Sequence, residues 1–159
     1  MGDFRRLPEQ EIASLCSPYI GNGRGDDKWQ FDEIHSNGVS MNGKISFSKF
    51  NVSPTDPEEF HLSVFSALEI ASQMAIILSH NNLGLVVKTK EVWLSNCSLK
   101  FFKPIRCATA IFAELTLRLR RLGSEHACVI DVHLRDENGG HFYGVLKGLT
   151  LPPKSEISS

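Results

Sequence analysis

The sequence predicts an α+β domain in which a curved antiparallel sheet wraps one long apolar helix. Three observations lead there. Segments of two-residue apolar alternation fill the second half of the chain, and shorter ones precede its middle. Between these groups lies residues 61–78, a stretch apolar on nearly every side. Turn-forming clusters such as Ser36-Asn37-Gly38 separate consecutive alternating segments, the mark of antiparallel hairpins rather than parallel crossovers.

In chain order, residues 8–15 read as a short helix, with Glu9 and Glu11 in its first turn and Pro18 beyond its end. Gly21-Asn22-Gly23-Arg24-Gly25 is a flexible loop without the Gly-Lys-Ser/Thr ending of a phosphate loop, so no nucleotide role follows. Residues 29–35 and 39–50 alternate as strands, the second with a candidate bend at Asn42-Gly43. Pro54 and Pro57 break the polar loop at 53–59. The helix over 61–78 carries Leu62, Phe65, Leu68, Ile70, Met74 and Ile77, and such a helix requires the rest of the protein to cover it. Its polar exceptions Ser66, Glu69 and Gln73 fall three and four residues apart on one face, and His80 continues the line. Strands follow at 92–102, 109–119, 127–135 and 142–151. The third-to-last of these puts Ile111, Ala113, Leu115, Leu117 and Leu119 on one side and Glu114, Thr116 and Arg118 on the other. Asp136-Glu137-Asn138-Gly139-Gly140 is a tight turn, and Pro152-Pro153 ends the last strand. Residues 1–153 thus form a single domain and 154–159 a flexible tail. A curved sheet around one helix is the hotdog architecture. Its sheet edges need protection, which predicts a homo-oligomer, a dimer joined edge to edge or larger.

Composition narrows the function classes. Seventeen Lys+Arg against 18 Asp+Glu among 159 residues leave no basic excess, so nucleic acid is not an expected partner. No apolar run is long enough to span a bilayer, and Met1-Gly2-Asp3-Phe4-Arg5-Arg6 does not open a signal peptide, so a cytoplasmic location is expected. Cys16, Cys97, Cys107 and Cys128 show no metal-ligand or C-x-x-C spacing and read as small buried apolar groups. His80, His126, His133 and His141 also lack metal spacing and read as surface residues, so no metal site is expected.

Chemistry concentrates around residue 61. A histidine just before a helix, beside Ser63 and Ser66, can act as a general base near neutral pH, or can be an ordinary helix-start residue. The helix start offers N–H groups and a positive dipole end suited to a thioester oxyanion. Glu69, a carboxylate on an apolar helix, either serves the chemistry or bonds to Gln73, to Ser66 or across a dimer interface. Tyr19 either donates a hydrogen bond into the site or packs over it. Phe101-Phe102-Lys103-Pro104-Ile105-Arg106 ends a strand with aromatics that could line an acyl tunnel and with cations that could meet a phosphate or a carboxylate, Lys103 reading rather as a solvated charge.

In order and spacing, several segments resemble the FcoT-like fatty-acyl thioesterases, a hotdog group. They are Ser17-Pro18-Tyr19, the Phe60-His61 loop with Gln73, Phe102-Lys103-Pro104, and Asp136-Glu137-Asn138-Gly139-Gly140 with Leu149-Thr150-Leu151-Pro152. Glu69-x-Ala71-x-Gln73 also resembles the helix of hydroxyacyl-carrier-protein dehydratases, whose histidine-proline loop this chain lacks. The resemblance implies an enzyme acting on acyl-CoA or acyl-carrier protein, with no cofactor beyond the coenzyme A or phosphopantetheine of the substrate. The family's site of two tyrosines and an asparagine matches Tyr19, but its other members fall at Thr55 and Ser63, which would line the site here. Relatives in natural-product pathways add glycine to an α,β-unsaturated acyl thioester and then hydrolyse it, giving an N-carboxymethyl β-amino acid. A base at His61 suits that chemistry, taking a proton from the glycine ammonium and then activating water. Three readings follow: hydrolysis of a medium- or long-chain acyl thioester, glycine addition with hydrolysis, and acyl-CoA binding without chemistry.

Overall fold

Where apolar and polar residues alternate, one face of a strand can be buried and the other solvated, and this chain uses that pattern in the inner strands of its sheet. The computed structural model describes residues 27–52, 56, 60–88, 90–123 and 125–151. The expected helix at 8–15, Tyr19, Thr55 and the tail at 154–159 lie outside them. The elements are β1 (Lys28–Ser36), β2 (Ser40–Lys49), α1 (Val64–Asn82), β3 (Glu91–Lys103), β4 (Ile111–Leu122), β5 (Glu125–Asp136) and β6 (His141–Leu151). One six-stranded sheet has the order β1-β2-β4-β5-β6-β3, with antiparallel pairing between all neighbours. This is an α+β hotdog arrangement of an antiparallel sheet and one helix.

Register brings the buried alternation together. Ala113, Leu115 and Leu117 of β4 stand opposite Leu134, Val132 and Ile130 of β5, and all six are buried. Against them α1 packs Ala67, Ile70, Ala71, Met74, Ala75 and Leu78. Each fully buried large side chain here contributes about 1.5–3 kcal/mol of transfer free energy. β2 stays paired through Asn42-Gly43, opposite Glu114 and Ala113, so no break occurs there. Gly43 instead lets the helix approach, since a Cβ would sit 3.0 Å from Met74 Cε.

Three expectations are corrected. The helix begins at Val64, three residues later than its pattern suggests, because Ser63 has extended backbone (φ −70°, ψ 156°) and its Oγ accepts the Ser66 N–H. His61 is therefore in the loop before the helix. Second, the helix is not wrapped all round. Val64, Phe65 (42% exposed) and Ile77 face outward, because one sheet covers only one side of a helix. Third, His80 is buried rather than at the surface, with its Nδ1 2.8 Å from the Ile76 carbonyl. Of the cysteines, Cys128 is buried, Cys107 half-buried and Cys97 exposed, because Cys97 lies on the edge strand β3. Nearly all of β3 is exposed, Trp93 at 64%, because only β6 pairs with it. Among the described residues, no helix is long and apolar enough to cross a membrane.

Candidate functional site

The site begins where β3 ends. Pro104 has no N–H to continue the ladder, so the chain leaves the sheet at Lys103 and turns inward at Ile105, which is fully buried. Burying this irregular backbone requires partners for its polar groups. Asp136, at the end of β5 and 4% exposed, supplies them. Its Oδ2 accepts the N–H of Arg106 at 2.7 Å and of Cys107 at 3.2 Å, while Oδ1 accepts those of Asn138 at 3.0 Å and Gly140 at 2.7 Å. Burial alone raises the Asp136 pKa, but the four N–H bonds together outweigh it and hold the carboxyl below its ordinary value. On its other side, the Ile105 carbonyl accepts the N–H of Leu62 at 3.0 Å, tying the segment to the residue after His61.

Arg106, so anchored, extends its guanidinium to the loop before α1. Nη1 donates to both oxygens of Asp56, at 2.9 and 2.8 Å. Oδ2 of Asp56 is also 2.9 Å from Nδ1 of His61. Asp56 and His61 are only 15% and 24% exposed at their side chains. A carboxylate at Nδ1 favours the tautomer with its proton there, which leaves Nε2 as the acceptor. An imidazole oriented in this way by a carboxylate can abstract a proton.

The imidazole opens on a cleft walled by Leu62, Phe101, Phe102, Pro104 and Phe142. Phe101 packs edge-on against Phe142, with ring centroids 4.3 Å apart, and Phe102 stacks on His141 at 5.2 Å. Lys103 at the rim donates to the Asn138 carbonyl at 2.8 Å. The cleft therefore offers apolar wall and a polar end on one side of the molecule.

The residues read from the sequence are placed unequally. His61, Phe102 and Arg106 line this one cleft. Arg106 is held by a carboxylate of the protein itself. Ser63 and Ser66 belong to the helix cap: Ser63 Oγ donates to Ser66 Oγ at 3.0 Å, which donates to Asp27 Oδ2 at 2.7 Å. His61 also borders this second, small pocket with Asp27, Asn51 and Ser63. Glu69 is half-buried on α1, about 9 Å of helical rise past the Ser63 cap, and Gln73 is exposed. Asp56 was the residue that sequence reasoning missed. Its signal was weak: an acid beside Pro57 in a loop that shows no periodicity.

No family model matches the chain, and no curated protein matches it in sequence. Solved structures do match in fold. One is a thioesterase from Haemophilus influenzae (TM-score 0.52, 14% identity, 93% of each chain covered). Another is a mutant thioesterase from Pseudomonas aeruginosa (TM-score 0.52, 19% identity, covering 93% of this chain and 97% of that one). A third is a hypothetical thioesterase with coenzyme A from Streptococcus pneumoniae (TM-score 0.55, 7% identity, covering 79% of this chain and 88% of that one). At these identities the likeness establishes the shared fold.

Proposed function

We propose that this protein hydrolyses acyl thioesters of coenzyme A or a carrier protein, with His61 as general base. The carrying observation is the 2.9 Å contact of His61 Nδ1 with Asp56, at the polar end of a cleft walled by phenylalanines. The thioesterase names of the fold neighbours, and the coenzyme A held by one of them, support the same reading.

In this mechanism the acyl chain lies against Leu62, Phe101 and Phe142. A water oxygen attacks the thioester carbonyl carbon while His61 Nε2 takes its proton. Asp56 stabilises the resulting imidazolium. Of the first-turn N–H groups of α1, that of Ser66 is taken by the Ser63 Oγ, so those of Val64 and Phe65 are the proposed donors to the developing oxyanion. Collapse of the tetrahedral intermediate breaks the carbon–sulfur bond, and the departing thiolate takes the proton back from His61. The products are a carboxylic acid and a thiol. Tyr19 is the proposed hydrogen-bond donor to substrate, with Thr55 at the site's edge, and Glu69 and Gln73 contact substrate or the partner subunit. The working unit is a dimer joined through the β3 edges, in the cytoplasm, with no resident cofactor.

One observation favours a second reaction at this site. Arg106 places a guanidinium in the cleft that His61 lines, paired there with Asp56, and a glycine carboxylate would have to share this cation with Asp56. The test is mass spectrometry of the purified protein with a medium-chain 2-enoyl thioester, with and without glycine. Free enoic acid at equal rates in both is the expected result for hydrolysis. An N-carboxymethyl β-amino acid formed only with glycine assigns the addition reaction instead. An unchanged thioester with every carrier tried, coenzyme A and carrier protein alike, overturns both and leaves a binding module.

A further inference from the structure

The turn Asp136-Glu137-Asn138-Gly139-Gly140 makes no contact with the proposed reaction, yet two of its residues are built around the segment that carries Arg106. Asp136 is one, by its bonds to the N–H groups of Arg106 and Cys107 at 2.7 and 3.2 Å. Gly140 is the other. A Cβ there would collide with the Pro104 carbonyl oxygen and lie 2.7 Å from Ile105 Cα, so only glycine lets the two backbones come this close. A turn needing only to reverse the chain would not need a buried carboxylate with four N–H donors, two of them from another loop. Its Oδ1 bonds to Asn138 and Gly140 close the turn itself; its Oδ2 bonds reach across to the β3–β4 connection.

We infer that this turn is a positioning device for the cleft: Asp136 and Gly140 fix the place of Arg106, and through Arg106 and Asp56 they fix the imidazole of His61. The inference rests on the reading of His61 as the base, but its structural half stands by itself. The chain of contacts is continuous. Asp136 Oδ2 holds Arg106 N, Arg106 Nη1 holds Asp56, and Asp56 Oδ2 holds His61 Nδ1. Among the described residues, the charged groups that share a pocket lining with the imidazole are Asp56, Arg106 and Lys103 in the cleft and Asp27 in the small pocket behind it. Of these, Arg106 alone is gripped by the turn through its own backbone N–H. Misplacing a catalytic group by about 1 Å can cost a hundredfold in rate, so a remote residue acting this way lowers kcat more than it changes KM.

The experiment compares Asp136→Asn with Gly123→Ala. Asn keeps the shape of the side chain but replaces one acceptor oxygen with a donor. Gly123, at the β4–β5 hairpin tip with φ +64° and no atom within 4 Å of where an added Cβ would sit, supplies a loss of stability remote from the cleft. Two readouts are taken: steady-state kcat and KM, and the nitrogen-15 NMR signal of the His61 imidazole, which needs no substrate. Asp136→Asn is expected to lower kcat about ten- to a hundredfold, to leave KM within about twofold, and to move the Nδ1 signal. Gly123→Ala is expected to lower the melting temperature alone. An unmoved imidazole signal in Asp136→Asn overturns the inference whatever the activity, and so does an equal kcat loss in Gly123→Ala at matched stability. A moved signal in a protein whose wild type turns over no thioester sustains the positioning role and overturns the assigned reaction. Should Asp136→Asn not fold, Arg106→Lys cuts the same chain one link later, and an unmoved His61 signal there is equally fatal.

Discussion

At the scale of single residues, the site depends on one carboxylate with two tasks. Asp56 faces a guanidinium and an imidazole at once, at 2.8 and 2.9 Å. His61→Ala removes the proposed base and is expected to abolish most turnover while the circular dichroism spectrum and melting temperature stay close to wild type, since the side chain is outside the core. Asp56→Asn should cost less, about tenfold to a hundredfold in kcat, because it loosens the base without removing it. Normal turnover in a folded His61→Ala protein ends the assignment. His61 was legible from the sequence as a candidate because a histidine ahead of an apolar helix is a recognisable pattern, and Phe102 and Arg106 because they stand at the end of a strand and just past it. Asp56 was not, since it meets Arg106 across fifty positions of chain and sits in a loop that local patterns read only as a breaker.

At the scale of elements, alternation and turn chemistry revealed each described strand and the helix between them to within a few residues, since each segment's period agrees with its tertiary setting. What they did not reveal was the helix start, which a hydroxyl decides rather than hydrophobicity. Ser63→Ala is expected to destabilise the protein by about 0.5–2 kcal/mol, read from a denaturant melt, with a smaller loss for Ser63→Gly. No loss in either variant would show that the cap contributes nothing. Nor could periodicity tell which sides of the helix the sheet covers. Phe65 and Ile77 are as apolar as Ile70 and Leu78, but the sheet lies on one side only.

At the scale of the whole molecule, two surfaces stand out among the described residues: the side of the edge strand β3 that no described strand pairs, and the outward residues of α1. β3 is thirteen residues long and shows Trp93, Leu94, Phe101 and Phe102 to solvent. An open strand of this kind is a template for another strand, and a second copy of the same edge is the proposed occupant. The protein should therefore run as a dimer by light scattering, and Leu94→Glu, which places like charges across a two-fold contact, should shift it to monomer. A wild type that stays monomeric at high concentration would count against the edge-to-edge dimer. The sequence led to the expectation of an oligomer by the same reasoning, since an antiparallel sheet of this kind has edges that need protection.

The four amides that converge on Asp136 carry one more consequence, for the protein in acid. Its carboxyl titrates below its ordinary value when folded, so its stabilisation is complete above the unfolded value of about 4 and fades as pH falls through the lower folded one. A single proton then releases two loops together. In deuterium exchange, the amides of Arg106, Cys107, Asn138 and Gly140 should be slow for irregular backbone at neutral pH. Toward the acid limit they should lose that protection as one unit, before the central strands do.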